Sequence, residues 1–205
     1  MAAAPSDLRC SPSAERNAKP IGEVLVDHLA GCRRLLEIGS GTGQHASTLV
    51  GQMPGLIWQP SDWPCDSETI SAWSKDAVGS DRIAAPITLN AADRTHWAAA
   101  DRYDAVLTIN TLHIMPWEQG RALLANAAMH AVSGCLLLIY GPFHIGGAAT
   151  SEGNARFDVS LRQAGTGSGI RDIEQVRAEM AANQWLEVAH YHMPANNQML
   201  VGRLA

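Results

Sequence analysis

Glu37, Gly39, Gly41 and Gly43 stand at alternating positions where an apolar run, Leu35 to Ile38, gives way to a helical pattern. Glycine has no Cβ, so the chain there can turn sharply and let a ligand lie against the backbone. The N–H groups that open the following helix can hold a negative group. A dinucleotide fingerprint, G-x-G-x-x-G, would place its third glycine where this chain has Gln44. The carboxylate of Glu37 would also repel a pyrophosphate, whereas it would attract a cofactor with a cationic amino-acid end. The chemistry indicated is a nucleotide-type cofactor site; the competing reading is a tight strand–helix turn that binds nothing.

The pattern E-x-G-x-G-x-G over Glu37 to Gly43 resembles the first motif of class I S-adenosylmethionine (SAM)-dependent methyltransferases. That resemblance implies a loop, including Ser40 and Thr42, that wraps the methionine part of the cofactor, with the acid organising its amino group. In open α/β sheets ligands gather at the carboxyl ends of strands, so the residues after each strand belong together. Asp62 lies 19 residues beyond Gly43, where a carboxylate can accept both ribose hydroxyls, and Trp63 beside it can cover one face of adenine. A turn residue or cap at Asp62, and simple packing at Trp63, are the alternatives. Asn90 stands where many methyltransferases have Asp, and its amide oxygen can accept a bond from the adenine amino group. Asn110 and His113 follow the fourth strand, a loop that faces the sulfonium and the substrate mouth in related folds.

The elements that must position these groups alternate between strand and helix, which implies a parallel sheet. A helix is expected over Lys19 to Leu29 with Pro20 in its first turn. Strands are expected over Arg34 to Ile38, Leu56 to Gln59, Ile87 to Leu89, Tyr103 to Ile109 and Cys135 to Tyr140. Helices are expected from Gly43, over Ser67 to Ala77, Trp117 to Ala131 and Asn154 to Gln163, and after Asp172 as an N-cap. Leu186 to His192 and Met199 to Leu204 are joined by so short a loop that they must pair antiparallel. The expected fold is α/β: a three-layer, doubly wound, mostly parallel seven-stranded sheet with one antiparallel strand near the C-terminus, Rossmann-like as in class I methyltransferases. Residues 1–205 read as a single domain, with 1–18 an N-terminal arm and 141–169, rich in Gly, Ser and Thr, a lid or substrate loop.

With 205 residues, 46% of them hydrophobic, one well-buried domain is expected. A net charge of −5 argues against a nucleic-acid partner. Cys10, Cys32, Cys65 and Cys135 form no C-x-x-C pair, so neither a zinc site nor a disulfide framework is suggested. Met1 to Lys19 lacks the apolar core of a signal peptide, and Leu136 to Ile139 is too short to span a bilayer. A cytoplasmic protein with a small-molecule substrate, and no membrane partner, is the expectation.

A wider set of segments narrows the resemblance. These are Ser13 to Asn17 with Pro20-Ile21, Ser40 to His45, Trp58 to Asp62, and Asn110 with His113-Ile114 and Pro116-Trp117. Tyr140 to Phe143, Ser151, Asn154, Phe157-Asp158, Leu161-Arg162 and Met193 to Asn197 complete it. Together they resemble the methyltransferase-like 26 family over nearly the whole chain, with Asn90 departing from the Asp of its relatives. The resemblance implies a fold and SAM as cofactor, but no settled substrate. Methyl transfer mainly requires positioning of the nucleophile and exclusion of water, with a base only when the acceptor must lose a proton. Arg16, Tyr140, His113 and Asn197 are the expected lining of the acceptor pocket, with Glu15 or His113 as base. Glu15 and Arg16 as salt-bridge partners, His113 as a structural histidine and Asn196-Asn197 as turn formers remain alternatives. So do a binding protein for SAM or S-adenosylhomocysteine (SAH) without transferase activity, and a nicotinamide-dependent oxidoreductase.

Overall fold

The computed structural model describes residues 10–97 and 102–205, so residues 1–9 of the expected N-terminal arm lie outside the described residues. The chain forms two compact units, Met1–Leu89 and Asn90–Ala205.

The first unit holds α1 (Pro12–His28), β1 (Arg34–Ile38), α2 (Gln44–Leu49), β2 (Ile57–Asp62), α3 (Ser67–Lys75) and β3 (Ile87–Thr88). Its strands lie in the order β3-β2-β1 and pair in parallel. Leu35, Leu36 and Trp58 from the strands and Ile21, Leu25, Leu49 and Ile70 from the helices are fully buried. Two boundaries differ by more than two residues from the sequence reading. Helix α1 begins at Pro12, not Lys19, because Ser11 caps it by accepting from Ala14 N and Pro12 tolerates the first turn. Pro20 is therefore inside the helix, where its missing N–H removes one helical bond. Residues 12–18 of the expected arm are helix. Strand β2 runs through Pro60 to Asp62, because Ser61 O accepts from both Gly39 N and Ser40 N at 2.9 Å and extends the ladder.

The second unit holds α4 (Arg94–Trp97), β4 (Ala105–Ile109), α5 (Trp117–His130), β5 (Leu136–Ile145), β6 (Ala148–Ala149) and α6 (Glu152–Gln163). It continues with β7 (Arg171–Asp172), α7 (Ile173–Ala182), β8 (Trp185–Met193) and β9 (Asn197–Leu204). Strand β4 pairs in parallel with β5, and β9 runs antiparallel to both β5 and β8. The antiparallel return required by the short loop is thus present. Asp172 caps α7 through Glu174 N, as its sequence position suggested. Strand β5 extends to Ile145 rather than ending at Tyr140, and β6 and β7 are short strands not expected from the sequence. Much of the segment 141–169 is accordingly strand and helix. No described helix is long and apolar enough to cross a membrane.

Candidate functional site

The loop between β1 and α2 turns on three left-handed glycines: Gly39 at φ 76°, Gly41 at φ 57° and Gly43 at φ 81°. Side chains rarely adopt this conformation. A Cβ on Gly43 would also stand 2.9 Å from Ile70 Cγ2, so α3 packs directly against the loop. Gly41 has open space where a Cβ would be, leaving its face of the loop available to a ligand. Thr42 Oγ donates to Gln44 Oε1 at 3.1 Å. Gln44 Oε1 also accepts from Ser11 N, and its Nε2 meets Cys10 Sγ at 3.3 Å, so Gln44 fastens the start of α1 to the loop.

Glu37 is 1% exposed at the end of β1. Trp58 Nε1 donates to its Oε2 at 3.0 Å and Ser40 Oγ to the same oxygen at 2.9 Å. Burial pushes this carboxyl up to about 7; the two hydrogen bonds oppose that rise and the charge of Asp62 adds to it. Ser40 is held in turn, its hydroxyl accepting from Ser61 N at 3.1 Å. At the end of β2, Asp62 Oδ2 accepts from Gly41 N and Oδ1 from Trp63 N, each at 2.7 Å. Each carboxylate oxygen retains acceptor capacity for a ligand. Trp63 is 54% exposed. Glu15 and Arg16 are exposed on α1.

In the second unit, Asn90 Oδ1 accepts from Ala92 N at 3.1 Å and Asn90 N donates to His96 Nδ1 at 3.2 Å, a turn-forming role. Asn110, just past β4, is left-handed at φ 56°, and its N–H donates to Tyr140 O at 2.8 Å. A Cβ at Gly141 would stand 3.6 Å from both Asn110 Oδ1 and His113 Nδ1, so these groups share one spot above β5. His113 is buried, and burial first, then the positive charge of Arg171, pulls its imidazole down to about 4. Its ring meets Phe157 edge-on at 5.3 Å. The Tyr140 hydroxyl is buried without a well-formed hydrogen bond. Burial pushes it up to about 12, with the neighbouring Asn197 side chain opposing that rise. Asn197 Nδ2 donates to Pro194 O at 3.1 Å, and Asn154 Nδ2 on α6 donates to Asn196 O at 3.3 Å.

The second unit therefore links Asn110, His113, Tyr140 and Asn197, and adds Asn154 and Phe157 from α6. In the sequence reading Asn154 opens an expected helix and both are marks of resemblance, without a site role, although their i, i+3 spacing places them on one helix face. Glu15 and Arg16 belong to the first unit. Among the described residues, no group of three or more His, Cys, Asp or Glu is placed to hold a metal ion.

The family model described as protein of unknown function (DUF938) matches residues 8–203. The chain belongs to this family. Solved structures similar to the DUF938 chain include an O-methyltransferase family protein from Burkholderia thailandensis, with a TM-score of 0.76 and 17% identity over 92% of this chain and 56% of that one. PigF with SAH matches with a TM-score of 0.75 and 17% identity, over 94% of this chain and 64% of that one. Human N-acetylserotonin methyltransferase in complex with SAM matches with a TM-score of 0.73 and 12% identity, over 92% and 55%. The DUF938 chain thus spans between about half and two-thirds the length of these structures. It has the Rossmann-like α/β methyltransferase fold, mostly parallel with one antiparallel strand near the C-terminus.

Proposed function

We propose that this chain is a SAM-dependent methyltransferase acting on a small-molecule acceptor. The observation that carries the reading is the glycine loop held between two carboxylates. Both described donors to Glu37 meet Oε2, which leaves Oε1 to accept from a cationic amino group. Gly41 leaves room at the loop's face. Gly39, Ser40, Gly41, Thr42 and Gly43 would hold the methionine portion, and Asp62 would accept the ribose hydroxyls. Trp63, Asn90 and Asn110 complete the proposed set, with Trp63 against adenine.

When bound, SAM supplies an electrophilic methyl group on a sulfonium. His113, Tyr140 and Asn197 are proposed to receive the acceptor; Glu15 and Arg16, of the first unit, are proposed for the same role from the sequence alone, with His113 or Glu15 taking the acceptor's proton. At neutral pH His113 is uncharged and can accept a hydrogen bond from an acceptor hydroxyl, while the buried Tyr140 hydroxyl can donate one. Positioning supplies most of the rate in such a displacement. The finer kinship with the methyltransferase-like 26 group belongs to the same proposal. So do a single functional domain over 1–205, a substrate-selecting role for 141–169, a cytoplasmic setting and the absence of a nucleic-acid partner.

One observation favours a second reading, a SAM- or SAH-binding protein without turnover: an imidazole held near 4 is a weak base at neutral pH. Calorimetric titration with SAM, SAH and NAD, on the natural chain and on Asp62→Asn, tests the cofactor. Micromolar binding of SAM and SAH, weakened at least tenfold in the variant, is expected. Binding of NAD alone would overturn the proposal, and so would no binding of any of the three. Methyl transfer from labelled SAM to a component of a cell extract then separates enzyme from binding protein.

A further inference from the structure

One other segment grips the backbone of the loop that carries His113. Four consecutive carbonyls accept from it. Leu112 O takes Arg171 Nε at 3.2 Å, His113 O takes Gly169 N at 2.8 Å, Ile114 O takes Ser168 Oγ at 2.8 Å, and Met115 O takes an Arg171 terminal nitrogen. That nitrogen also donates to Gly167 O at 2.9 Å, which closes residues 167–171 into a clasp. Arg171 is 8% exposed, and its guanidinium lies 5.9 Å from the centre of the Trp117 ring at the start of α5. The clasp is tied to α6 as well: Asp158 accepts from Ile170 N at 2.6 Å and from Arg162 Nε at 2.7 Å. Helix α6 presents Phe157 to the His113 ring.

A buried guanidinium normally meets a carboxylate. Here its described hydrogen bonds all go to backbone carbonyls, an arrangement that fixes the path of a loop, while the carboxylates of Asp158 and Glu118 act on it through their charge. Arg171 has a planar fork of donors that can reach several carbonyls at once; the single ammonium of lysine cannot reproduce that geometry.

We infer that Arg171 is a positioning residue: by gripping the carbonyls of residues 112 and 115 it sets the direction of the His113 imidazole relative to Phe157 and Gly141. That this direction serves an acceptor rests on the function proposed above; the grip itself does not. The positive charge of Arg171 also contributes to keeping His113 neutral, after burial. Arg171 therefore sets the place of the ring and adds to the effect of burial in keeping it neutral.

The test follows the His113 imidazole by NMR through a pH titration, assigned with His113→Gln, in the natural chain, Arg171→Met, Arg171→Lys and Ser168→Ala. For Arg171→Met, the His113 midpoint is expected to move up from about 4 toward the ordinary 6.5, with displaced amide signals for residues 112–116. Signals from residues 34–62 should stay in place. Arg171→Lys should keep part of the low midpoint yet displace the same amides, because charge survives and the fork does not. Ser168→Ala, which loosens the same segment at Ile114 O, should displace the Ile114 amide and the neighbouring His113 ring signals, and if both Arg171 variants fail to fold, unmoved His113 ring signals here overturn the inference. Unchanged His113 titration and unchanged 112–116 amides in the folded variants would overturn the inference. A positive result with no SAM binding in calorimetry would leave the clasp standing and remove the methyltransferase reading.

Discussion

Glu37 is a buried acid whose ordinary value of 4.5 is raised to about 7. Between those two values the folded protein binds more protons than the unfolded chain, so this group's contribution to stability falls as pH rises through that window. The full penalty, on the order of 3 kcal/mol, is present above pH 7. Glu37→Gln keeps acceptor and volume but cannot ionise. Its ligand-free melting temperature should exceed that of the natural chain at pH 8 and approach it at pH 4.5, measured by scanning calorimetry. Under the proposed function, a cationic amino group favours the carboxylate, so SAM affinity should rise between pH 6 and 8 in the natural chain and not in Glu37→Gln. The flanking glycines separate two physical costs. Gly41→Ala meets only its left-handed backbone, worth about 1 kcal/mol. Gly43→Ala meets that and Ile70 at 2.9 Å, so urea denaturation should show it losing at least about 1 kcal/mol more. Equal losses would mean that α3 yields easily.

At the scale of elements, periodicity and turn chemistry were the most legible signals. Strand β1 matches its expected bounds, and the short connection between β8 and β9 did impose antiparallel pairing. What misled was proline. Pro20 suggested a helix start, yet Ser11, Pro12 and Glu15 form the actual cap and first turn, a signal that was present and outweighed. The second strand was expected to end at Gln59, whereas the neighbouring glycine loop extends the ladder through Pro60 to Asp62. The clasp of residues 167–171 had no sequence signature, because carbonyl groups are common to every residue and a lone arginine reads as surface. Asn90 and Asp62 were legible as strand-end polar groups, but their engagement with Ala92 N and Gly41 N depends on local backbone direction. The turn between β8 and β9 carries its own prediction. Ala195 sits at φ 58° and ψ 34°, a conformation costing a non-glycine residue about 1 kcal/mol. Ala195→Gly should leave stability unchanged or raise it by up to about 1 kcal/mol, read from the urea midpoint. A loss would show that the alanine methyl makes a contact worth more than the strain.

For the molecule as a whole, family membership extends over residues 8–203, while the solved structures of similar fold are considerably longer than this chain. Fold likeness at 12–17% identity carries architecture and leaves substrate to experiment. Two whole-molecule measurements follow. A ligand that binds only the folded state stabilises it by mass action, about 2.7 kcal/mol at a hundredfold excess over its dissociation constant. Under the proposed function, SAH should therefore raise the melting temperature with the logarithm of its concentration, and NAD should not. With a net charge of −5, the chain should also show no retention on duplex DNA or RNA at physiological salt, by gel shift. Retention would direct the search for an acceptor to nucleic acid.

Trp63 brings a practical consequence. Of the six tryptophans, Trp58, Trp97 and Trp185 are almost completely enclosed, while about half of Trp63 is exposed to water directly after Asp62. An indole in water emits at longer wavelength than an enclosed one, so the red edge of the emission spectrum carries a disproportionate contribution from this single side chain. The chain thus has a built-in optical reporter one residue from the proposed ribose contact, readable without labels at concentrations too low for calorimetry. Trp63→Phe would show which part of the signal is its own.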